Sequence, residues 1–306
     1  MKIYEVKKFS DYLDIVKKIK QENDLVWFRG QEDSSWRLVP KVIRSAVDIK
    51  DQYGQDIKPK PAAFCDTKGE TSIMPNVYKM IEEFKELTKE YLRIKPKNEF
   101  EWMFLAQHYG LPTKLLDWST DPLVALFFSM PQNIDEQKIN ECKLVFKDEE
   151  IDEFSELCCS VFAVNPCELN KLLLCAKPPK GYKYLPLDVN DDFSYLEGYL
   201  KNKIPFACCI AGTPIDKRIC RQSGNFTIHG IISWPLDFIE AVRKILYKIM
   251  IPYTVVSEIK EWLSILDVTN KSIYGKSELD KIAENITEEE EKRFLNEINI
   301  LKEKYK

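Results

Sequence analysis

Apolar residues recur along this chain at two spacings, and the switches between them mark out its elements. Leu13, Val16 and Ile19 lie three apart, which predicts a helix over residues 10–22 capped by Ser10. LVWFRG (25–30) is a short apolar run closed by glycine and predicts a buried strand. Residues 47–75 carry Pro, Gly, Asp and Lys without periodicity and read as a loop on the surface. Asn76 then caps a helix predicted to reach Arg93, with Tyr78, Ile81, Phe84, Leu87 and Tyr91 on one face. A further helix runs from Asn98 to Tyr109, with Gly110 suited to the left-handed position after its end. LLDW (115–118) reads as a strand. Asp121-Pro122 is a helix start, and LVALFFSM (123–130) is apolar almost all round, as a buried helix must be.

The second half continues in the same mixed manner. Residues 131–157 are polar and acidic and read as a second surface insertion. SVFAVNP (160–166) predicts a strand entering a helix, with Asn165 and Glu168 at capping-box spacing. IPFACCI (204–210), NFTIHGII (225–232) and YKIMIPY (247–253) read as strands. Thr213-Pro214 is expected to open a short helix ending near Gly224. Helices are expected after Pro235, over 254–266 and in the charged tail around EEEEKRF (288–294). Strands and helices alternate without a regular βαβ order, which favours an α+β fold: a single compact domain with a mixed β-sheet packed by helices. Residues 1–270 would form that domain, and 271–306 a helical extension packed on it.

Composition narrows the functional classes. Among 306 residues, 44% are hydrophobic and 31% charged, enough apolar surface for a sizeable core. Lys+Arg 45 against Asp+Glu 49 leaves a net charge of -4, giving no strong nucleic-acid signal. No apolar stretch reaches the roughly 20 residues that span a bilayer, so no membrane association is expected. MKIYEVKKFSDYLDIVKKIKQ lacks a signal-peptide pattern, and nine cysteines in largely apolar contexts suit free thiols in a cytoplasmic protein. With 2 histidines and no CxxC pair, a metal site is not expected.

Three polar segments stand inside apolar sequence. Arg29 ends an apolar run in a chain that otherwise prefers lysine, so it either pairs internally or recognises phosphate or carboxylate through its planar fork. The stretch from Glu101 to Pro122 holds Gln107, His108, Asp117, Ser119 and Thr120. Glu101 and His108 share roughly one helix face, and Asp117, between Leu116 and Trp118, needs a donor such as Arg29 or His108. Gln222 lies in a Gly-containing turn, Arg221-Gln222-Ser223-Gly224, that feeds a strand. Arg29, Gln107, His108, Asp117 and Gln222 are expected to converge on one cleft.

Trp27-Phe28-Arg29-Gly30-Gln31, then Trp36-Arg37-Leu38-Val39-Pro40 with Arg44, then AQHYGLPTKLLDWSTDPLVALFFS (106–129) resemble the FRG family, named for Phe-Arg-Gly. RICRQSGNFTIHG (218–230) resembles its Gln-x-Gly-x-Phe segment, and SIYGKSELDKIAENI (272–286) its closing motif. Lys114 stands where arginine is usual, and Tyr274-Gly275 replaces Phe-Pro. The resemblance implies a bacterial or phage setting and a shared polar core, but assigns no reaction.

Two functions follow as expectations. In the first the chain is similar to ADP-ribosyltransferases and uses NAD as a substrate, acting as a toxin or phage-defence effector on an unknown macromolecular target. That similarity implies Arg29 on the phosphates, Ser119 or Thr120 at the nicotinamide ribose, and Phe127 and Phe128 as the pocket wall. The late-strand glutamate would fall at Gln222, leaving Glu101 as its stand-in. In the second, Arg29, His108, Asp117 and Gln222 form the pocket of a non-enzymatic module that binds a nucleotide, signal molecule or peptide terminus. Neither requires a cofactor. A Cys–His hydrolase and a metal-dependent nuclease lack a supporting motif.

Overall fold

The computed structural model describes residues 1–48, 63–65, 71–145, 152–174, 184–201, 203–275 and 277–304. Among the described residues there are ten strands: β1 (Lys2–Glu5), β2 (Trp27–Gln31), β3 (Val47–Asp48), β4 (Ala63–Cys65), β5 (Thr71–Ile73), β6 (Leu115–Ser119), β7 (Cys158–Val164), β8 (Cys208–Ile210), β9 (Gly224–Ile228) and β10 (Tyr247–Pro252). Seven form a mixed sheet in the order β1-β10-β7-β2-β6-β9-β8, and β3-β5-β4 form a small second sheet. β1 lies parallel to β10, and the other neighbours in the large sheet are antiparallel. The fold is therefore α+β with a mixed sheet packed by helices, as the sequence predicts.

Pairing along the large sheet is uneven. β7 pairs with β10 from Cys158 to Ala163 and with β2 from Ser160 to Val164. β6 pairs with β9 from Leu115 to Ser119. Between these halves, β2 meets β6 only at Phe28 and Ser119. The sheet is nearly split at this seam.

The packing layers follow the split. Against the β1-β10-β7-β2 half, the helices Phe9–Glu22, Pro122–Ser129 and Val256–Ile265 bury Tyr12, Ile19, Leu126 and Ile259 on Phe28, Val161 and Ile249. Against the β6-β9-β8 half, the helices Val77–Thr88 and Glu99–His108 bury Phe84 and Phe104 on Leu115, Phe226 and Ile228. A third cluster, with Trp27, Trp118, Phe162 and Cys209, is drawn from both halves and holds them together. The Glu278–Lys304 helix adds Leu279, Ala283 and Ile286 to the second cluster, and Glu290 accepts the Asn76 backbone N–H at 2.7 Å.

Several boundaries differ from the sequence expectation. The first helix begins at Phe9 after Lys8, and Asp11 rather than Ser10 satisfies its entry, accepting the N–H groups of Lys7 and Lys8. Its buried stripe is Phe9, Tyr12, Val16 and Ile19, with Leu13 exposed. Asn76 caps as expected, but that helix ends at Thr88, and Leu87 and Tyr91 face solvent. Within 47–75, read as a loop, β3, β4 and β5 pair instead; residues 49–62 and 66–70 lie outside the described residues. Within 131–157, Glu136–Val145 is a helix that buries Cys142 in the core, and 146–151 lie outside the described residues. The short helix after Thr213-Pro214 starts at Lys217 because Asp216 supplies the cap, accepting the Arg218 N–H at 2.7 Å. Cysteines 142, 158, 159, 167, 208, 209 and 220 take part in no disulfide. Among the described residues no helix is long and apolar enough to cross a membrane.

Candidate functional site

A cleft of about 430 Å³ opens at the seam between β2 and β6. Gly30 brings the two walls together: a Cβ built there would lie 2.0 Å from the Ala125 carbonyl oxygen, so the Pro122–Ser129 helix rests directly on strand β2. Asp121 starts that helix, accepting the N–H groups of Leu123 and Val124 with Pro122 beside it. The helix thereby holds Phe128 at the cleft wall.

Arg29 reaches across the gap in the sheet. Its Nη1 donates to the Asp117 carbonyl oxygen at 2.9 Å and lies 3.5 Å from Asp117 Oδ2. The guanidinium thus ties β2 to β6 just beyond their single paired position. Burial pulls its pKa down to about 10, opposed by Asp117, so it remains charged near neutral pH. Its Nε is buried without a partner. Asp117 is fixed from the other side by Gln107, whose Nε2 donates to Oδ2 at 2.9 Å. Thr113 orients Gln107 by donating to its Oε1 at 2.7 Å.

His108 closes its helix, and Gly110, at φ 101, turns the chain away. The imidazole is 7% exposed and stands edge-on to Phe226, with centroids 5.6 Å apart. It presses on Gly224, where a Cβ would meet Nε2 at 3.1 Å, and Nε2 has no hydrogen-bond partner. Burial lowers its pKa against the opposing pull of Asp117 and Gln222, favouring the neutral ring. Gln222 follows the Lys217–Arg221 helix and is buried in the same wall.

Arg29, Gln107, His108, Asp117, Ser119, Gln222 and Phe128 therefore meet around one cleft. Glu101, Thr120 and Phe127 do not line it. Glu101 sits in the first turn of its helix, fully buried, and accepts the Lys97 N–H at 2.6 Å. Seven residues of helix separate it from His108 by about 10 Å along the axis, so a shared face does not bring it to the site. Thr120 is exposed, its N–H given to the Ser223 carbonyl. Phe127 lines the adjoining cavity described below. Ser119 is engaged structurally: its hydroxyl donates to the Gln222 carbonyl at 2.8 Å and accepts the Asp121 N–H at 3.0 Å.

The cleft also holds Glu32, Trp36, Arg44, Tyr109, Arg218 and Tyr274. Arg44 lies over the Trp36 ring at 5.5 Å and donates from Nε to the Val39 carbonyl. Arg218 sits between the rings of Tyr109 at 5.1 Å and Tyr274 at 4.6 Å, and pairs with Asp280. The signal in the sequence was the scarcity of arginine: three of the chain's eight arginines face this one cleft. Among the described residues no group of three or more His, Cys, Asp or Glu side chains could hold a metal ion.

A β-strand arginine and a helix-end histidine on opposite walls of a split sheet, braced by Gln107 and Asp117, define a polar ligand cleft in an α+β fold. Residues 24–138 match the family model described as FRG domain. No curated protein matches the chain, and no solved structure matches it.

Proposed function

We propose that the cleft binds a phosphate-bearing nucleotide, with NAD the first candidate. The carrying observation is the charge of its lining: Arg29, Arg44 and Arg218 against Asp117 and Glu32. Asp117 is already held by Gln107 and Arg29. Guanidinium forks match phosphate oxygens in a way lysine does not, and three of this chain's eight arginines line this one cleft. Aromatic faces at Trp36, Tyr109, Phe128 and Tyr274 suit a sugar and base beside the phosphates. The partnerless Arg29 Nε and His108 Nε2 leave buried donor or acceptor capacity for such a ligand.

Binding without turnover is the second reading, favoured by one placement. Glu101, the expected stand-in for the transferase glutamate, is sealed at the start of its helix and lines no part of the cleft. In the catalytic version the protein is a cytoplasmic, NAD-consuming toxin or phage-defence effector; in the other it is a non-enzymatic ligand- or partner-binding module.

Calorimetry with NAD, ADP-ribose and ATP on the wild type and Arg29→Ala, paired with an assay of nicotinamide release, separates them. Binding that Arg29→Ala weakens by several kcal/mol supports the phosphate reading. Arg29→Lys should also fail, since a point charge cannot reproduce the fork. Binding without nicotinamide release assigns the module. Failure of all three compounds to bind rejects nucleotide recognition.

A further inference from the structure

A second cavity, of about 580 Å³, adjoins the cleft. Three side chains line both spaces: Glu32, Phe128 and Tyr274. Phe128 stands edge-on to Tyr274 with centroids 5.6 Å apart, and Phe127 extends the same aromatic wall. The two compartments differ in chemistry. The first carries the arginines. In the second, the neutral polar groups include the amides Gln132, Asn133 and Asn270 and the hydroxyls of Ser264 and Thr269, beside Leu263 and Val268. Its one cation, among the lining residues, is Lys260, whose ammonium donates to the carbonyls of Pro131 and Gln132 and so fixes the turn bearing Gln132 and Asn133.

We propose that the second cavity is the base subsite of the nucleotide whose phosphates the arginines hold, with the sugar at the junction beside Glu32. The inference rests on the reading given under Proposed function and adds where the base and sugar go. Amide side chains present a donor and an acceptor together, as the edge of a nucleobase requires. An aromatic wall on one side gives the base a face to stack on. A phosphate-rich end and a neutral planar end, joined by a hydroxyl-bearing sugar, reproduce the order arginines, carboxylate, amides along the groove. Glu32 accepts the sugar hydroxyls, a role a carboxylate can play for two neighbouring O–H donors at once. Tyr253 steadies its backbone by donating from its hydroxyl to the Glu32 carbonyl at 3.2 Å.

The test is calorimetry with ADP, GDP, CDP, UDP, ribose 5-phosphate and inorganic pyrophosphate. At least one nucleoside diphosphate should bind about tenfold more tightly than ribose 5-phosphate. Ser264→Trp places an indole in the second cavity from an exposed helix position. It should erase that preference while leaving pyrophosphate affinity within about twofold. Asn133→Ala removes atoms only and serves if the tryptophan variant fails to fold; it should weaken the preferred nucleotide and spare pyrophosphate. Glu32→Gln should weaken the ribonucleotide more than its 2′-deoxy counterpart. Nucleotides binding no better than ribose 5-phosphate, or a base preference untouched by Ser264→Trp and Asn133→Ala, would overturn the base subsite while leaving the phosphate site standing. If neither pyrophosphate nor any nucleotide binds, the phosphate reading itself fails and takes this one with it.

Discussion

Gly30 is the position at which the fold and the site depend on a single missing atom. A Cβ there would lie 2.0 Å from the Ala125 oxygen, 2.5 Å from the Ser129 nitrogen and 2.9 Å from the Phe128 carbonyl carbon. All three are backbone atoms of one helix, so no side-chain rotation relieves the contact. To restore a tolerable 3.0 Å separation the helix must move by about 1 Å, or β2 must bend away. Either motion disturbs Ala125 and Leu126, which are packed with Phe28 in the core. Overpacking of this kind costs ~1–3 kcal/mol, and the backbone origin of the clash puts Gly30→Ala at the upper end. At roughly 2–4 °C per kcal/mol, the thermal midpoint should fall by about 6 °C or more, as read by circular dichroism. The same shift carries Phe128 and Arg29 apart, so the variant should bind pyrophosphate more weakly even at temperatures where it is folded. A midpoint within about 1 °C of wild type would refute the reasoning, because a 2.0 Å contact with a fixed backbone oxygen cannot be absorbed so cheaply.

Other expectations concern buried charge. Lys114 and Lys248 are pushed down to about 8 by burial, from 10.5. Above pH 8 the unfolded chain therefore holds more protons than the folded one, and stability should rise with pH by up to ~1.4 kcal/mol per unit per lysine. The rise should slow near pH 9.0 and turn over above it, as Cys158, Cys159 and Cys209, buried and resistant to ionising when folded, ionise in the unfolded chain; denaturant melts of wild type and Lys114→Met, which should halve the rise, test this. Burial holds His229 at about 3 against 6.5, with Arg29 adding to the effect. From pH 6.5 downward the unfolded chain gains a proton the folded one refuses, so stability should fall by about 1.4 kcal/mol per pH unit from this group, and His229→Gln should flatten that limb. Asp280→Asn removes the partner of Arg218 on a half-exposed carboxylate, so stability should change by ~1 kcal/mol or less. Pyrophosphate affinity measured by calorimetry should increase, because the freed guanidinium has one fewer competitor.

What was legible in the sequence were groups whose backbone is drawn inward by their neighbours. Arg29 follows Trp27 and Phe28, and Asp117 lies between Leu116 and Trp118; strand burial left each side chain little freedom in where to go. Helix starts were legible at Asn76, Asn98, Asp121 and Asn165 because each side chain satisfies free N–H groups within the next few residues. Ser10 failed as a cap because Asp11, one residue on, reaches the same backbone from inside the first turn. Arg44, Arg218 and Tyr274 were not singled out as site residues, since short helices and loops carry them to the cleft and only tertiary packing decides where those end. Arg218 needed two rings and Asp280, from three distant parts of the chain, to hold it in place. Glu32 lies one residue past the strand that marks the site, in a turn whose direction no periodicity reports.

The matched FRG region supplies most of the cleft lining and depends on the rest of the chain for the remainder. Residues 24–138 contain β2, β6 and the helices that carry Gln107, His108 and Phe128. Yet β2 and β6 share a single paired position, and each finds its main partner outside the match, β2 on β7 and β6 on β9. Cut at residue 138, both strands would expose an unpaired edge, and Trp27 and Trp118 would lose Phe162 and Cys209 from their shared cluster. Arg218, Gln222, Gly224 and Tyr274 would be lost from the cleft as well. The split that opens the site is therefore held at a fixed width by strands lying outside the motif itself. The Phe-Arg-Gly arginine acts as the crossing tie: it joins two half-sheets at their weakest joint through the Asp117 carbonyl, while its Nε stays buried without a partner.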